Sequence, residues 1–109
     1  MPELTKPFQL VERKLTKVEL VAAVRQAIIA EHDATAQYTL QAEAADDPYV
    51  KQVLLSIADE ERVHVGELTT LLQYLTKDED DKMSEGREEA LDMAKSQLPA
   101  EEGPAEGDE

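Results

Sequence analysis

Glu61 and His64 stand three residues apart in DEERVHVGEL (residues 59–68), inside a run that otherwise reads as helix. On a helix this spacing turns a carboxylate and an imidazole toward the same side. Oxygen and imidazole nitrogen together suit a first-row transition metal such as Fe2+ or Mn2+. A third candidate, Glu31, lies in AEHDATAQY (30–38), with Tyr38 two turns further along. The sequence has no Cys, so disulfides, thiolate zinc sites, iron–sulfur clusters and Cys nucleophiles are excluded.

The elements that must position these residues are two long helices. TKVE at 16–19 has the form of a capping box, with Thr16 as cap and Glu19 at the third helical position. The Ala-rich stretch that follows predicts a helix over 17–45. DDP then breaks the chain, Asp47 suits a cap, and Pro48 suits the first turn of a second helix over 48–75. Gly66 inside it costs about 1 kcal/mol relative to Ala, and serves either a close approach of another backbone or an indifferent exposed site. With so short a connection the two helices pack antiparallel as a hairpin.

Helical periodicity places Val50, Leu54, Ile57, Glu61, His64, Leu68, Leu71, Leu72 and Leu75 in one stripe of the second helix. Leu20, Val24, Ala27, Glu31, Thr35, Tyr38 and Ala42 form a stripe on the first. Glu31 precedes the turn by about as many residues as Glu61 and His64 follow it, so the three are expected at one level of the hairpin. A carboxylate on an apolar seam is costly unless it is paired, protonated or metal-bound. Neither stripe carries a Lys or Arg at that level.

Two carboxylates and one imidazole are half of a two-metal set. The ferritin-like bundle uses a lone Glu from each of two helices and a Glu-x-x-His from each of two others. Two copies of this chain supply that set, so the expected fold is all-α: a two-helix hairpin with a short C-terminal helix, dimerising into a four-helix bundle. The same dimer thickens a core too small for a chain of this length alone. The competing reading is an acidic helical hairpin dimer in which Glu31 and His64 form a buried charged pair that fixes register, which leaves the inward Glu61 unexplained. His32 is expected to face solvent. Asp33, Glu60 and Glu67 are candidate outer ligands or carboxylates on a metal access route, with surface solvation as the alternative.

Around this hairpin, residues 1–15 read as an irregular arm, in which Phe8, Leu10 and Val11 anchor against a neighbouring subunit. SEGREEALDMAKSQL predicts a short helix over 84–98, and residues 99–109 a disordered acidic tail. The net charge is −14, but residues 76–109 carry 13 acidic and 4 basic side chains, which is −9 of it. The acidity argues against nucleic acid and anionic membranes as partners. With neither a signal peptide nor a transmembrane stretch in the sequence, a cytoplasmic protein is the expectation.

AEHDATAQY together with DEERVHVGEL, on a chain with only two long helices, resembles the encapsulated ferritins, ferritin-like cargo of encapsulin nanocompartments. The resemblance spans roughly residues 7–98. It implies iron ligation by Glu31, Glu61 and His64, a conserved tyrosine at Tyr38, and a decameric ring, a pentamer of dimers, with di-iron centres between chains. The short third helix helps to join neighbouring dimers. The implied activity is ferroxidation, Fe2+ to Fe3+, with Mn, Zn or Ca as surrogate metals and with storage inside an encapsulin shell. Alternatives are a non-catalytic metal-stabilised scaffold and a rubrerythrin-like peroxide scavenger. Gln37 stands where the family has an aromatic residue, Asp33 matches an outer acidic position, and Ala30 departs from its neighbour. The acidic end lacks the family's apolar shell-docking peptide, leaving truncation, fusion and a protein not directed to a shell as the readings.

Overall fold

The computed structural model describes residues 13–97, all three of whose regular elements are helices: α1 (Lys17–Ala44), α2 (Pro48–Leu75) and α3 (Glu79–Gln97). The chain divides into two compact units after Thr76. The anchors proposed at Phe8, Leu10 and Val11 and the tail over 99–109 lie outside the described residues.

α1 begins as its capping box dictates. The Thr16 hydroxyl accepts from the Glu19 amide at 3.2 Å, and the Glu19 carboxylate accepts from the Thr16 amide at 2.9 Å. Arg13 adds a two-pronged contact to the same carboxylate, at 2.9 and 2.8 Å. The helix ends at Ala44, one residue before the sequence limit, because Ala45 turns extended as its C-cap. α1 has no basic residue in its last turn, and Lys51 of α2 supplies one, donating from Nζ to the Ala42 carbonyl at 2.8 Å. The Ala42 carbonyl already accepts from the Ala45 amide at 3.2 Å, so the cation adds a second donor there and opposes the negative end of the helix dipole.

α2 matches its predicted limits. Asp47 caps it by accepting from the Tyr49 amide at 2.8 Å, with Pro48 in the first turn. α1 and α2 pack together as the antiparallel hairpin. Among the described residues the buried core is thin, with Val24 and Ala42 from α1 and Ala58 and Leu72 from α2. Many larger apolar side chains remain at the surface, as a two-helix layer must leave them. A Cβ added at Gly66 meets nothing within 4 Å, so within the chain this glycine serves no close approach.

α3 starts at Glu79, five residues before the predicted Ser84. The sequence reading left KDEDDK outside the third helix. Three acidic residues in the first turn, Glu79, Asp80 and Asp81, instead favour a helix N-terminus through its dipole. The first helical bond, Lys82 amide to Asp78 carbonyl at 3.0 Å, closes that turn. Lys82 lies 3.8 Å from Glu85, an i,i+3 pair. α3 buries none of its own residues, and its predicted last residue, Leu98, lies outside the described range.

Candidate metal centre

Glu31 rises from the middle of α1, and Glu61 and His64 from the middle of α2. The hairpin brings all three to one level, as their distances from the turn require. His64 Nδ1 lies 3.1 Å from Glu61 Oε1 and 3.6 Å from Glu31 Oε1. One ligand atom from each residue falls within 4.8 Å of the others, a spacing at which the three can share an ion.

Burial within the cluster is graded. The Glu61 side chain is 19 % exposed, Glu31 25 % and His64 49 %. The sequence placed His64 at the centre of the apolar stripe, and in the hairpin it sits at the edge. The seam against α1 is centred on Ala58, Glu61 and Leu72, and three residues of helix turn His64 about 60° to one side of Glu61. The cluster is thus closed toward the hairpin seam and open on the His64 side.

Electrostatics tie the three into one unit. Glu31 is raised above the usual carboxylate range, first by the hydrogen bond it shares with Glu61, then by desolvation and by the Glu61 charge. Glu61 is held below that range by the same bond from Glu31 and by His64. His64 is raised, chiefly by its hydrogen bond to Glu61. Two carboxylates this close hold a proton between them when nothing else neutralises them. The level match implied that proximity, although a shared proton was only one of three ways the sequence left to satisfy a carboxylate there. The donor set, two carboxylates and an imidazole, fits Fe2+ or Mn2+.

The remaining candidates separate cleanly. Tyr38 is half-buried on the Glu31 side of α1, and no hydrogen bond links it to the three residues. His32, Asp33, Glu60 and Glu67 are exposed, and none belongs to the cluster. Arg62 faces away and lies 3.5 Å from Asp59 on the outer side of α2. The sequence reading did not single out a contact just behind the site. The Thr35 hydroxyl donates to the Glu31 carbonyl at 2.9 Å, a bond that a Thr four residues after a functional Glu makes available on any helix.

The sequence profile of the Rubrerythrin family matches residues 23–102, which include all three residues of the cluster. The chain is a ferritin-like member of the rubrerythrin family. It is 38% identical over 82 residues to the ferritin-like-encapsulin shell fusion protein of Pyrococcus furiosus, covering 75% of this chain and 24% of that one. It is 40% identical over 76 residues to the encapsulin nanocompartment cargo protein EncC of Myxococcus xanthus, covering 69% of this chain and 58% of that one. The chain therefore spans about a quarter of the first curated relative and somewhat over half of the second. Among solved structures, the encapsulated ferritin domain from Pyrococcus furiosus superposes with a TM-score of 0.71 at 37% identity, covering 80% of this chain and 85% of that one. The resemblance to encapsulated ferritins read from residues 30–38 and 59–68 holds, and so does the all-α fold. Among the described residues no helix is long and apolar enough to cross a membrane.

Proposed function

We propose that this rubrerythrin-family chain is a ferroxidase, oxidising Fe2+ to Fe3+ at a centre completed by two copies of the hairpin. The observation that carries this reading is the convergence of Glu31, Glu61 and His64, with ligand atoms within 4.8 Å and an open side at His64. The three residues of one copy are half of the carboxylate and imidazole set of a two-metal bundle site, and a second copy docked on the His64 side supplies the other half. Metals in such sites lie about 3.5–4 Å apart.

Each residue has a task there. Glu31 would hold a ferrous ion from α1, Glu61, the least exposed of the three, would be the carboxylate able to serve both ions, and His64 would supply the nitrogen. Tyr38 sits beside the centre. Binding displaces the proton shared by the carboxylates and frees the imidazole of its own, so the protein gives up protons as it takes up iron. Each Fe2+ surrenders one electron, and two side by side supply two electrons to one O2, which takes up two protons. The dimers assemble further into a decameric ring. Encapsulin cargo among the relatives supports a cytoplasmic protein enclosed by an encapsulin shell, where the oxidised iron is stored.

Glu31→Ala and His64→Ala test the assignment. Each is expected to abolish Fe2+-dependent O2 consumption and the ferric absorbance that accompanies it. Normal oxidation by either variant overturns the site. Tight iron binding without oxidation in the unmodified chain would leave a scaffold, and oxidation driven far better by peroxide than by O2 would leave a peroxide scavenger.

A further inference from the structure

Thr35 stands one turn beyond Glu31 on the same side of α1 and is half-buried. Its hydroxyl donates to the Glu31 carbonyl at 2.9 Å. In a helix that carbonyl also takes the backbone amide of the fourth residue on, which is Thr35 itself. One residue thus supplies both donors to the main chain of the cluster's α1 member.

Helix formation does not ask for a threonine here. Ala27, Ala34 and Ala42 line the same seam, and Ala exceeds Thr in helix propensity. A hydroxyl bonded back to the carbonyl four residues earlier slightly destabilises a helix and bends it. That bend falls at the residue whose carboxylate meets Glu61 and His64. The bond also selects between the two χ1 rotamers that Thr can adopt in a helix. It thereby sets the γ-methyl over the preceding turn, where Glu31 is rooted.

The cluster depends on the course of α1 at this point. Glu61 and His64 share a helix, and their i,i+3 register alone keeps them together, at 3.1 Å. Glu31 reaches them from the other helix, and His64 Nδ1 lies 3.6 Å from its Oε1. Its aim is therefore set by the backbone at residue 31. α2 carries the same kind of bond where no ligand depends on it. The Thr70 hydroxyl donates to the Gly66 carbonyl at 3.0 Å, with both residues exposed on the back of the helix, and Gly66 has no side chain to aim.

We infer that Thr35 is a positioning residue for Glu31: its hydroxyl, anchored on the Glu31 carbonyl, fixes the stretch of α1 from which that carboxylate is aimed across the seam at Glu61 and His64. The inference rests on the metal-centre reading. The one proton Thr35 can donate is committed to the carbonyl, so it acts through Glu31.

Co2+ binding to the full chain, read from the visible absorption of the bound ion, tests this without any oxidation step. Thr35→Val keeps the shape and removes the donor. It is expected to weaken Co2+ binding about tenfold, the lower end of the range for groups that orient a ligand, and to change the absorption spectrum. Thr35→Ala, which adds no bulk to the seam, is expected to show the same loss. Thr35→Ser returns the hydroxyl and is expected to restore affinity and spectrum. Thr70→Val is expected to change neither, and helicity by circular dichroism is expected to hold in all four. Wild-type binding by Thr35→Val and Thr35→Ala, no recovery in Thr35→Ser, or an equal loss in Thr70→Val each overturns the inference. Glu31→Ala separates the readings. Loss of Co2+ there with none in the Thr35 variants sinks the positioning role alone, whereas wild-type Co2+ binding by Glu31→Ala removes the metal centre and the positioning role together. A chain that binds Co2+ in the expected pattern without oxidising Fe2+ loses the ferroxidase reading and keeps the role of Thr35.

Discussion

α1 and α2 are equal in length, 28 residues each, and face each other across one seam. They line that seam with side chains of different size. α2 sets Leu54, Ile57, Leu68, Leu72 and Leu75 on the seam side, and its back carries the exposed Val63 and Tyr74 among Gln52, Asp59, Gly66 and Thr70. α1 lines its seam side largely with small side chains, Ala27, Ala34, Thr35 and Ala42, and places Val18, Ile29 and Leu40 on its back. Small residues on α1 let the backbones close around Glu31 and Glu61 without filling the space their carboxylates occupy. α2 then supplies most of the large apolar side chains of the seam. One helix fills the seam, and the other leaves room at its middle for the two carboxylates.

The largest effect that would break this division is at Leu72, 3 % exposed. Leu72→Ala should cost about 2–5 kcal/mol, the range for a large-to-small change in a packed core. The loss should appear in thermal unfolding at every protein concentration. Leu40→Ser, on the back of α1, should lower the midpoint only at concentrations where the chain assembles, because association stabilises by mass action. A concentration-independent loss in Leu40→Ser would make the back of α1 part of the hairpin's own core.

Next in size is the acid dependence of iron binding. The ligands bind metal only when deprotonated, so each proton displaced costs about tenfold in apparent affinity per pH unit below its pKa. In the metal-free chain His64 is raised by Glu61. Its contribution to hairpin stability is therefore complete below the ordinary imidazole value of 6.5 and fades as pH rises through the raised one. Iron binding should run the opposite way, tightening over the same range. Titration of Fe2+ affinity against pH measures the slope, and His64→Gln should flatten it.

Much of this was legible in the sequence for a physical reason: helix limits are set by local chemistry. Thr16 with Glu19, and Asp47 with Pro48, mark two starts unambiguously, and equal spacing from the turn sufficed to bring Glu31 level with Glu61 and His64. Properties that depend on neighbours were less legible. His64 moved from the centre of a stripe to its edge because a helix with one partner buries only a narrow sector. The start of α3 was hidden because acidic residues that favour a helix N-terminus also look like a solvated linker.

Gly66→Ala sharpens the contrast from the α2 side. A Cβ there meets nothing within 4 Å, and Ala exceeds Gly in helix propensity by about 1 kcal/mol. The substitution should raise the unfolding midpoint by that amount and leave the assembly mass unchanged. A fall in mass would show that the back of α2 is covered between copies.

The smallest effect concerns the start of α1, where the two faces share one anchor. The Glu19 carboxyl is pushed down from 4.5 to about 2, first by its hydrogen bonds from Arg13 and then by the Thr16 amide. A depressed carboxyl contributes stability that is present above its unfolded value and lost as pH falls through the folded one. The start of α1 should therefore loosen between about pH 4.5 and 2. Glu19→Gln keeps a side chain that can accept from the Thr16 amide but removes the charge facing Arg13, so stability should lose its slope in that window. Amide exchange at the first turn of α1 resolves the change where a global melt does not, because the contact is exposed and its effect is confined to one turn. Equal slopes in the two proteins would show that Arg13 contributes nothing to the helix start. The capping box alone would then orient both faces of α1.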